Sequence, residues 1–318
     1  MLWLGAPCVG DYFEEIDAAH DDGEEETKTM TSAILSPSPT FALDPFQHGE
    51  GVRHFLKKFQ LTSQPPSLSL LQQIIAAFSN LPYENLSKII KFNRYGENAR
   101  ARLRLPEEVF EDHVRLRTGG TCFSLTFFQQ SILLQLGFAG YIIMGDMRAG
   151  ENIHCAIVVL LDGVKYMLDP GYLLKRPMPF DPTKPRLYHN EYSGVELRFD
   201  IAAQSYDLFT FTRSAEKWRY RFVDRPTPLD EFLQHWQASF YRNGMHGLCL
   251  TRAQEDELIF VRQDFMRITS LAGKRNVNLK QNYHATIQEV FGITPEYVEH
   301  ARAALSENLK RVPGRPKT

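Results

Sequence analysis

The stretch Arg117-Thr-Gly-Gly-Thr-Cys-Phe-Ser-Leu-Thr126 joins a glycine-rich turn to an apolar segment. The apolar segment Phe123–Leu136 is long enough for about four turns at ~3.6 residues per turn, and Gly137 is a natural C-cap, so a helix is predicted. Thr121 is a suitable N-cap and places Cys122 in the first turn, where the helix dipole favours a thiolate. Taken alone, however, Cys122 is better interpreted as a buried structural thiol, because unpaired cysteines are among the most buried residues.

Length and composition indicate an ordinary globular chain of 318 residues, 43% of them hydrophobic. Its four cysteines, Cys8, Cys122, Cys155 and Cys249, are widely separated, which argues against a disulfide framework and against a structural zinc site. No apolar run reaches the ~18 residues of a membrane span, and the acidic start differs from a signal peptide. We therefore expect a cytoplasmic protein without a metal or a membrane anchor.

The net charge of −2 conceals an asymmetry along the chain. Residues 1–30 carry nine acids against one lysine, a net charge of −8, so the rest of the chain carries +6. This excess suits an anionic small molecule but is too weak and dispersed for nucleic acid. Helical patterns dominate before Gly137, strand patterns follow it, and the last part of the chain mixes both.

The clearest strand signal is a hairpin. Two β-branched runs, Ile153–Leu161 and Val164–Leu168, are joined by Asp162-Gly163, a typical two-residue turn. In the register that this turn sets, Val158 faces Met167, and Ala156 would face Asp169.

This register makes His154 and Asp169 diagonal neighbours on one face of the hairpin, at ~7–8 Å between backbones. Cys155 points to the other face, into a core. Cys122, His154 and Asp169 then supply the parts of an activated thiol, because the imidazole takes the thiol proton and the carboxylate orients the imidazole. The three residues together favour Cys122 as a nucleophile.

Four sequence motifs, spread over most of residues 50–305, are more specific than the three residues Cys122, His154 and Asp169 alone. They are Leu81-Pro-Tyr-Glu-Asn-Leu86, Arg117-Thr-Gly-Gly-Thr-Cys-Phe123, the hairpin with its fifteen-residue step from His154 to Asp169, and Glu289-Val-Phe-Gly-Ile293. In these motifs the sequence resembles the arylamine N-acetyltransferase family. The resemblance implies that Cys122 carries the acyl group, His154 is the general base and acid, and Asp169 orients His154. Phe123 follows the nucleophile and is a candidate for binding the substrate.

The resemblance also implies an α+β fold in which a helical bundle carries the cysteine, a central antiparallel β-barrel carries His and Asp, and an α/β lid follows. The predicted segments are a disordered acidic and Pro/Ser-rich leader (1–45), the helical bundle (46–138), the β-barrel (139–225), an interdomain helix and connector (226–250), the α/β lid (251–310) and a basic tail (311–318).

The implied reaction moves an acetyl group from acetyl-CoA to an arylamine, hydrazine or related amine by a ping-pong mechanism. The expected partners are therefore a small-molecule amine and an acyl-CoA, with no nucleic acid and no membrane; the oligomeric state is left open.

The sequence departs from the family motif at several positions. Arg117 lies one residue further from the cysteine than usual, and Ser124 stands where the family has a glutamate. Asp169-Pro-Gly-Tyr172 replaces the usual Asp-Val-Gly-Phe. The stretch between Met144 and His154 is short beside the substrate-lining loop of the family.

These departures keep open an amide synthase or condensing enzyme of a biosynthetic pathway that uses another acyl thioester. Two other functions also stay open. One is a transglutaminase-like thiol hydrolase, which uses the same triad, and the other is a binding module that retains only the fold.

Overall fold

The computed structural model describes residues 41–311 except 173, 184, 190, 191 and 212–215. The α-helices are α1 (Gly49–Lys58), α2 (Leu68–Phe78), α3 (Leu86–Tyr95), α4 (Pro106–Leu116), α5 (Cys122–Gln135), α6 (Leu229–Ala238), α7 (Tyr283–Phe291) and α8 (Pro295–Arg311). The strands are β1 (Tyr83–Glu84), β2 (Ala139–Met147), β3 (Gly150–Leu161), β4 (Val164–Leu168), β5 (Met178–Phe180), β6 (Arg186–His189), β7 (Gly194–Asp200), β8 (Ser205–Phe211), β9 (Glu216–Phe222), β10 (Cys249–Gln254), β11 (Glu257–Arg262), β12 (Phe265–Ser270) and β13 (Gly273–Asn278). Short 3-10 helices lie at Pro45–His48, Ser239–Tyr241 and Asn243–Met245.

The larger sheet is antiparallel and nearly closed. Its eight strands follow the order β5-β4-β3-β2-β9-β8-β7-β6. The two edge strands, β5 and β6, contact each other, so the sheet curls back on itself like a barrel. The chain thus combines helices with antiparallel sheets, as expected for the α+β class.

The second sheet contains five strands in the order β1-β10-β11-β12-β13. Its edge strand β1 comes from the early helical part of the chain, because Tyr83 pairs with Thr251 and Glu84 with Leu250. Within the motif from Leu81 to Leu86, the short strand is limited to Tyr83–Glu84. The hydrogen-bonding partner of β1 is β10, which lies far away in the sequence, so the local residue pattern does not predict this strand.

Helix α5 is the central element of the fold. Every residue from Cys122 to Leu133 is buried, so the helix is enclosed by the rest of the protein on all sides. Phe123 and Phe127 pack into one hydrophobic cluster, whereas Leu125 and Phe128 pack into another. The helix predicted from the sequence is confirmed, and its first residue, Cys122, packs in the cluster that also contains Cys155 of β3.

Residues 41–45, which were assigned to the leader predicted to be disordered, are described by the structure. Leu43 and Pro45 are buried, and the Asp44 side chain caps the first 3-10 helix by accepting a hydrogen bond from the Phe46 N–H at 2.9 Å. Burial of these apolar side chains attaches residues 41–45 to the body of the protein. The predictions for residues 1–40 and for the tail 312–318 lie outside the described residues.

Candidate active site

A tight glycine turn delivers Cys122 to the start of α5. A Cβ on Gly119 would lie 1.9 Å from the Pro82 carbonyl oxygen, so only glycine fits there. Gly120 forms a parallel bridge with Tyr83, and its N–H lies 3.4 Å from the same Pro82 oxygen. The glycine turn therefore packs directly against strand β1. Thr121 occupies the N-cap position as predicted, but its side chain makes no capping hydrogen bond.

A buried arginine from outside the motif supports this turn. Arg104, 4% exposed, donates from Nη2 to the Gly119 carbonyl at 3.0 Å and from Nη1 to Asp112 Oδ2 at 2.8 Å. Burial disfavours its charge, but the carboxylates of Glu84 and Glu108 outweigh that cost and raise the pKa of Arg104. Arg117 is instead exposed, in the left-handed region, at the C-cap of α4.

Ser124 also has a local structural role. Its hydroxyl donates to the Thr121 carbonyl at 3.1 Å within the first turn of α5. The buried carboxylate of this region is Glu84, which is fully buried and accepts from the N–H and the hydroxyl of Ser87 at 2.9 and 2.5 Å. Arg104 and Glu84 thus supply the buried cation and anion that positions 117 and 124 do not.

The hairpin has the predicted register. Val158 pairs with Met167 and Ile157 with Leu168 across β3 and β4. Asp162 and Gly163 both have positive φ, at 51° and 75°, as a two-residue hairpin turn requires. Beyond the ladder, His154 Nε2 lies 2.8 Å from Asp169 Oδ2.

The Asp169 carboxylate is held by three donors. Its Oδ1 accepts the Tyr172 N–H at 2.9 Å, and its Oδ2 accepts the Tyr220 hydroxyl at 2.7 Å in addition to His154. The Tyr220 ring also lies against the imidazole, with 4.6 Å between ring centroids. This network fixes both the position of the carboxylate and the orientation of the imidazole.

Gly171 lies where the three predicted residues meet. A Cβ at this position would be 2.8 Å from His154 Cε1, 3.0 Å from Cys122 Cβ and 3.3 Å from Asp169 Oδ1. The structure therefore brings Cys122, His154 and Asp169 together around a position that excludes every side chain. Because Nε2 of His154 bonds to Asp169, the other ring nitrogen, Nδ1, is the one available to the Cys122 thiol.

The electrostatics of the cluster favour a thiolate–imidazolium pair. Burial alone would lower the pKa of His154, but the charge and hydrogen bond of Asp169, together with Cys122, raise it to about 10. A hydrogen bond from the Cys155 thiol is the largest cause that lowers the pKa of Cys122, against the effect of burial. The hydrogen bond and charge of His154 lower it further, so the pKa of Cys122 lies well below its ordinary value.

Cys155 faces a core, as predicted from its alternation with His154, and this core contains the Cys122 sulfur. The thiol is fully buried, and burial raises its pKa well above the ordinary value. It therefore remains protonated and acts as a hydrogen-bond donor to Cys122.

A cavity of about 280 Å³ opens beside Cys122. Phe123 lines it, and the same ring packs toward Phe232 with 5.5 Å between centroids, so it also belongs to the core. Further lining residues are Tyr83, Lys88, Met147, Ile153, Tyr172, Trp218 and Ser239. The cavity thus combines apolar surface with polar and basic groups at fixed places, as small-molecule sites usually do.

The sequence did not single out Tyr220, Lys88 or Gly171. Lys88 carried a usable signal, because it lies between the apolar residues Leu86 and Ile89 on a predicted buried stretch. Tyr220 carried none, since its position depends on the distant pairing of β9.

His113 is buried outside the cavity. It contacts the Thr118 carbonyl through Nδ1 at 3.1 Å, and burial lowers its pKa to about 4. Within the described ranges, no group of His, Cys, Asp and Glu is arranged to hold a metal ion. Across the same residues, no helix has both the length and the apolar character that a membrane crossing requires.

Comparison with known proteins adds a family and a fold. The family model described as N-acetyltransferase matches residues 67–299. No curated protein sequence matches the chain significantly.

Solved structures with the same fold include arylamine N-acetyltransferases from several bacteria. The Salmonella typhimurium enzyme is 14% identical with a TM-score of 0.66 and covers 81% of this chain and 98% of its own. The Mycobacterium abscessus enzyme is 17% identical with a TM-score of 0.69 and covers 82% and 97%. A Bacillus cereus enzyme, described as having a unique Cys-His-Glu catalytic triad, is 17% identical with a TM-score of 0.60 and covers 77% and 99%. At these identities the likeness concerns the fold alone.

Proposed function

Because the chain belongs to the arylamine N-acetyltransferase family, whose model spans residues 67–299, we propose that it moves an acetyl group from acetyl-CoA to an amine through a thioester on Cys122. Family membership makes the protein an acetyltransferase. The proposal adds the ping-pong mechanism, the residues that perform it and an arylamine, hydrazine or related amine as acceptor. It also assigns the nucleophile to a helical bundle (46–138), the His and Asp to a barrel (139–225) and the lid to 251–310.

The observation that carries the proposal is the contact between His154 and Asp169 beside the Cys122 thiol. The 2.8 Å distance from Nε2 to Oδ2 holds the imidazole with its other nitrogen free for sulfur. The pKa of His154, about 10, exceeds the strongly lowered pKa of Cys122, so the proton resides on the imidazole at neutral pH. The resting enzyme is then already activated for nucleophilic attack.

In the first half-reaction, the Cys122 thiolate attacks the thioester carbonyl of acetyl-CoA. The tetrahedral oxyanion is stabilised by backbone N–H groups at the start of α5, which the Gly119-Gly120 turn leaves unpaired within the helix. Collapse of this intermediate expels the coenzyme A thiolate, which takes the proton from His154. Since one thioester replaces another, the acyl-enzyme forms with little change in free energy.

In the second half-reaction, an amine enters the cavity and attacks the acyl-enzyme. The neutral His154 accepts the amine proton as the carbon–nitrogen bond forms, and Cys122 leaves as a thiolate. Asp169 keeps the imidazole oriented in both steps, and Tyr220 and the Tyr172 N–H keep Asp169 in place. The amide is released and the thiolate–imidazolium pair is restored.

The dimensions of the site favour a small amine over a protein substrate. Cys122 is only 7% exposed and is reached through a cavity of about 280 Å³. Phe123, Met147 and Trp218 supply apolar surface for a flat ring. The low exposure of Cys122 makes the thiol less accessible to a side chain of a folded protein, which disfavours a transglutaminase-like reaction on proteins. The free thiols of Cys122, Cys155 and Cys249 suit a reducing, cytoplasmic compartment.

Release of coenzyme A without an acceptor tests the ping-pong mechanism. Rapid mixing with acetyl-CoA alone should release one coenzyme A per active site in a burst, and Cys122→Ser should abolish that burst. Coenzyme A release that requires the amine would replace the ping-pong mechanism with direct transfer. A burst from a larger acyl thioester but not from acetyl-CoA would favour the amide synthase alternative.

A further inference from the structure

The wall of the cavity beside Cys122 is basic. Lys88, Arg148, Arg219 and Arg242 line it, and no carboxylate is found among the described residues that do so. Arg148 is exposed and Arg242 is half-buried, whereas Lys88 and Arg219 are only 7% and 3% exposed. The basic groups therefore extend from the mouth of the cavity to its buried wall.

Lys88 is placed there by helix α3 and held by a short 3-10 helix. Its ammonium donates to the Ser239 carbonyl at 3.0 Å and to the Ser239 hydroxyl at 2.7 Å. That hydroxyl donates in turn to the Trp236 carbonyl at 2.6 Å, so it acts as an acceptor for Lys88. The ammonium also lies 4.7 Å from the centroid of the Phe240 ring. An ammonium has three donors, and these contacts satisfy two of them.

No carboxylate compensates the charge of Lys88 within the part of the chain that the structure describes. Burial lowers the pKa of Lys88 to about 7, Cys122 opposes that effect, and the cation of Arg102 reinforces it. A buried cation that no carboxylate pairs is costly and readily loses its proton. An anionic ligand beside it would provide the missing charge and keep the ammonium protonated.

We propose that Lys88 binds a carboxylate carried by the substrate, next to the acyl group on Cys122, and thereby sets substrate specificity. The inference deepens the proposed acyl transfer and rests on it. The phosphates of coenzyme A are not the anion in question, because the whole pantetheine arm separates them from the thioester. The carboxylate must therefore belong to the acyl group or to the acceptor amine.

Two pairs of probes distinguish these sources. Malonyl-CoA is compared with butyryl-CoA as donor at a fixed neutral amine, and 4-aminobenzoate is compared with 4-aminobenzamide as acceptor at fixed acetyl-CoA. Each pair differs in the carboxylate and little in size. For one of the pairs, kcat/KM should favour the carboxylate by about tenfold or more, the value of one hydrogen bond to a charged group.

The matched variants are Lys88→Met and Arg94→Met. Arg94 lies exposed on the same helix, so both variants lose one positive charge but only Lys88 faces the cavity. Lys88→Met should abolish the preference for the carboxylate, whereas Arg94→Met should retain it. Because the ratio within a pair is measured, a general loss of Cys122 reactivity in Lys88→Met does not affect the result.

A binding measurement on the unaltered protein keeps the inference testable if Lys88→Met does not fold. Benzoate should slow alkylation of Cys122 by iodoacetamide at a concentration at least about tenfold lower than benzamide. This readout needs no acyl transfer, so it separates a failure of Lys88 recognition from a failure of the proposed reaction. Equal protection by benzoate and benzamide, or a carboxylate preference that survives in Lys88→Met, would overturn the assignment.

Discussion

Tyr220 donates its hydroxyl to Asp169 Oδ2 at 2.7 Å, on the same oxygen that His154 Nε2 contacts at 2.8 Å. The tyrosine comes from β9 and the aspartate follows β4, so the two residues meet across the barrel. Both side chains are buried. The orientation of the imidazole therefore depends on a barrel strand that contributes no residue to the acyl transfer itself.

Removing this hydroxyl should reduce turnover without preventing acylation. Tyr220→Phe is expected to lower kcat/KM by about tenfold, because a hydrogen bond to a charged acceptor is worth about 1.5 kcal/mol. Steady-state kinetics with acetyl-CoA and an arylamine measure this. Tyr141→Phe is the matched control, since it removes a 2.6 Å hydrogen bond to Asp224 elsewhere in the barrel. Equal activity of both variants would show that Tyr220 does not position Asp169.

A side chain at position 171 should disable the site while the fold survives. In Gly171→Ala the new methyl would lie 2.8 Å from His154 Cε1 and 3.0 Å from Cys122 Cβ, so the imidazole and the thiol must move apart. We expect a loss of about hundredfold or more in kcat/KM, since small displacements of reacting groups have effects of this size. Gly49→Ala, whose methyl meets only the end of the Gln135 side chain at 3.5 Å, should remain fully active. Normal activity of Gly171→Ala would contradict the close approach of the three residues.

The thiolate–imidazolium pair predicts an unusual pH dependence for alkylation of Cys122. The pKa of Cys122 is lowered, so the thiolate is present above that value and is lost only as the pH falls through it. His154 keeps its proton until the pH approaches about 10. The iodoacetamide rate should thus fall much less between about pH 8 and about pH 6 than the rate of an ordinary thiol, which slows by roughly a hundredfold.

The same measurement in His154→Gln provides the contrast. Loss of the imidazolium removes a charge that stabilises the thiolate, so the rate should fall steeply below about pH 8. A profile in the unaltered protein as steep as that of a free thiol would show that the pair does not form.

Cys155 should contribute to the reactivity of its neighbour. Cys155→Ala removes the thiol that donates to the Cys122 sulfur, so alkylation at about pH 6 should slow by about tenfold. Cys249→Ala removes another buried thiol, whose pKa is raised mainly by burial, and should leave the rate unchanged. If both variants behave alike, the Cys155 hydrogen bond has no influence on the nucleophile.

The two arginines near the glycine turn should differ in their effect on stability. Arg104→Met leaves Asp112 and the Gly119 carbonyl without their buried donor and should lower the free energy of unfolding by about 3 kcal/mol. Arg117→Met changes an exposed side chain and should stay within about 0.5 kcal/mol of the unaltered protein. Urea denaturation followed by tryptophan fluorescence measures both. If Arg117→Met lowered the free energy of unfolding more than Arg104→Met does, Arg117 rather than Arg104 would be the residue that supports the turn.

The sequence predicted the local parts of the site well. The helix from Cys122 and the β3–β4 hairpin are determined by neighbouring residues, namely the glycine turn and Asp162-Gly163. The hairpin register alone brought His154 and Asp169 to one face, and their contact at 2.8 Å agrees with it.

The parts that the sequence did not predict depend on long-range contacts. Strand β1 forms only because β10 pairs with it, and Tyr220 reaches Asp169 only because β9 pairs with β2. Arg104 is separated from Gly119 by a whole helix, so no motif spacing identifies it as the support of the turn. The periodicity of apolar residues indicates local secondary structure, whereas these contacts depend on which distant elements pack together.

The central claim is that Cys122 carries the acyl group, and intact mass spectrometry after incubation with acetyl-CoA tests it most directly. The predicted result is a gain of the mass of one acetyl group, located on the peptide that contains Cys122 and absent in Cys122→Ala. Addition of an arylamine should remove the group and yield an equal amount of acetylated amine. An unchanged mass, or an acetyl group on Cys155 or Cys249 instead, would contradict the account.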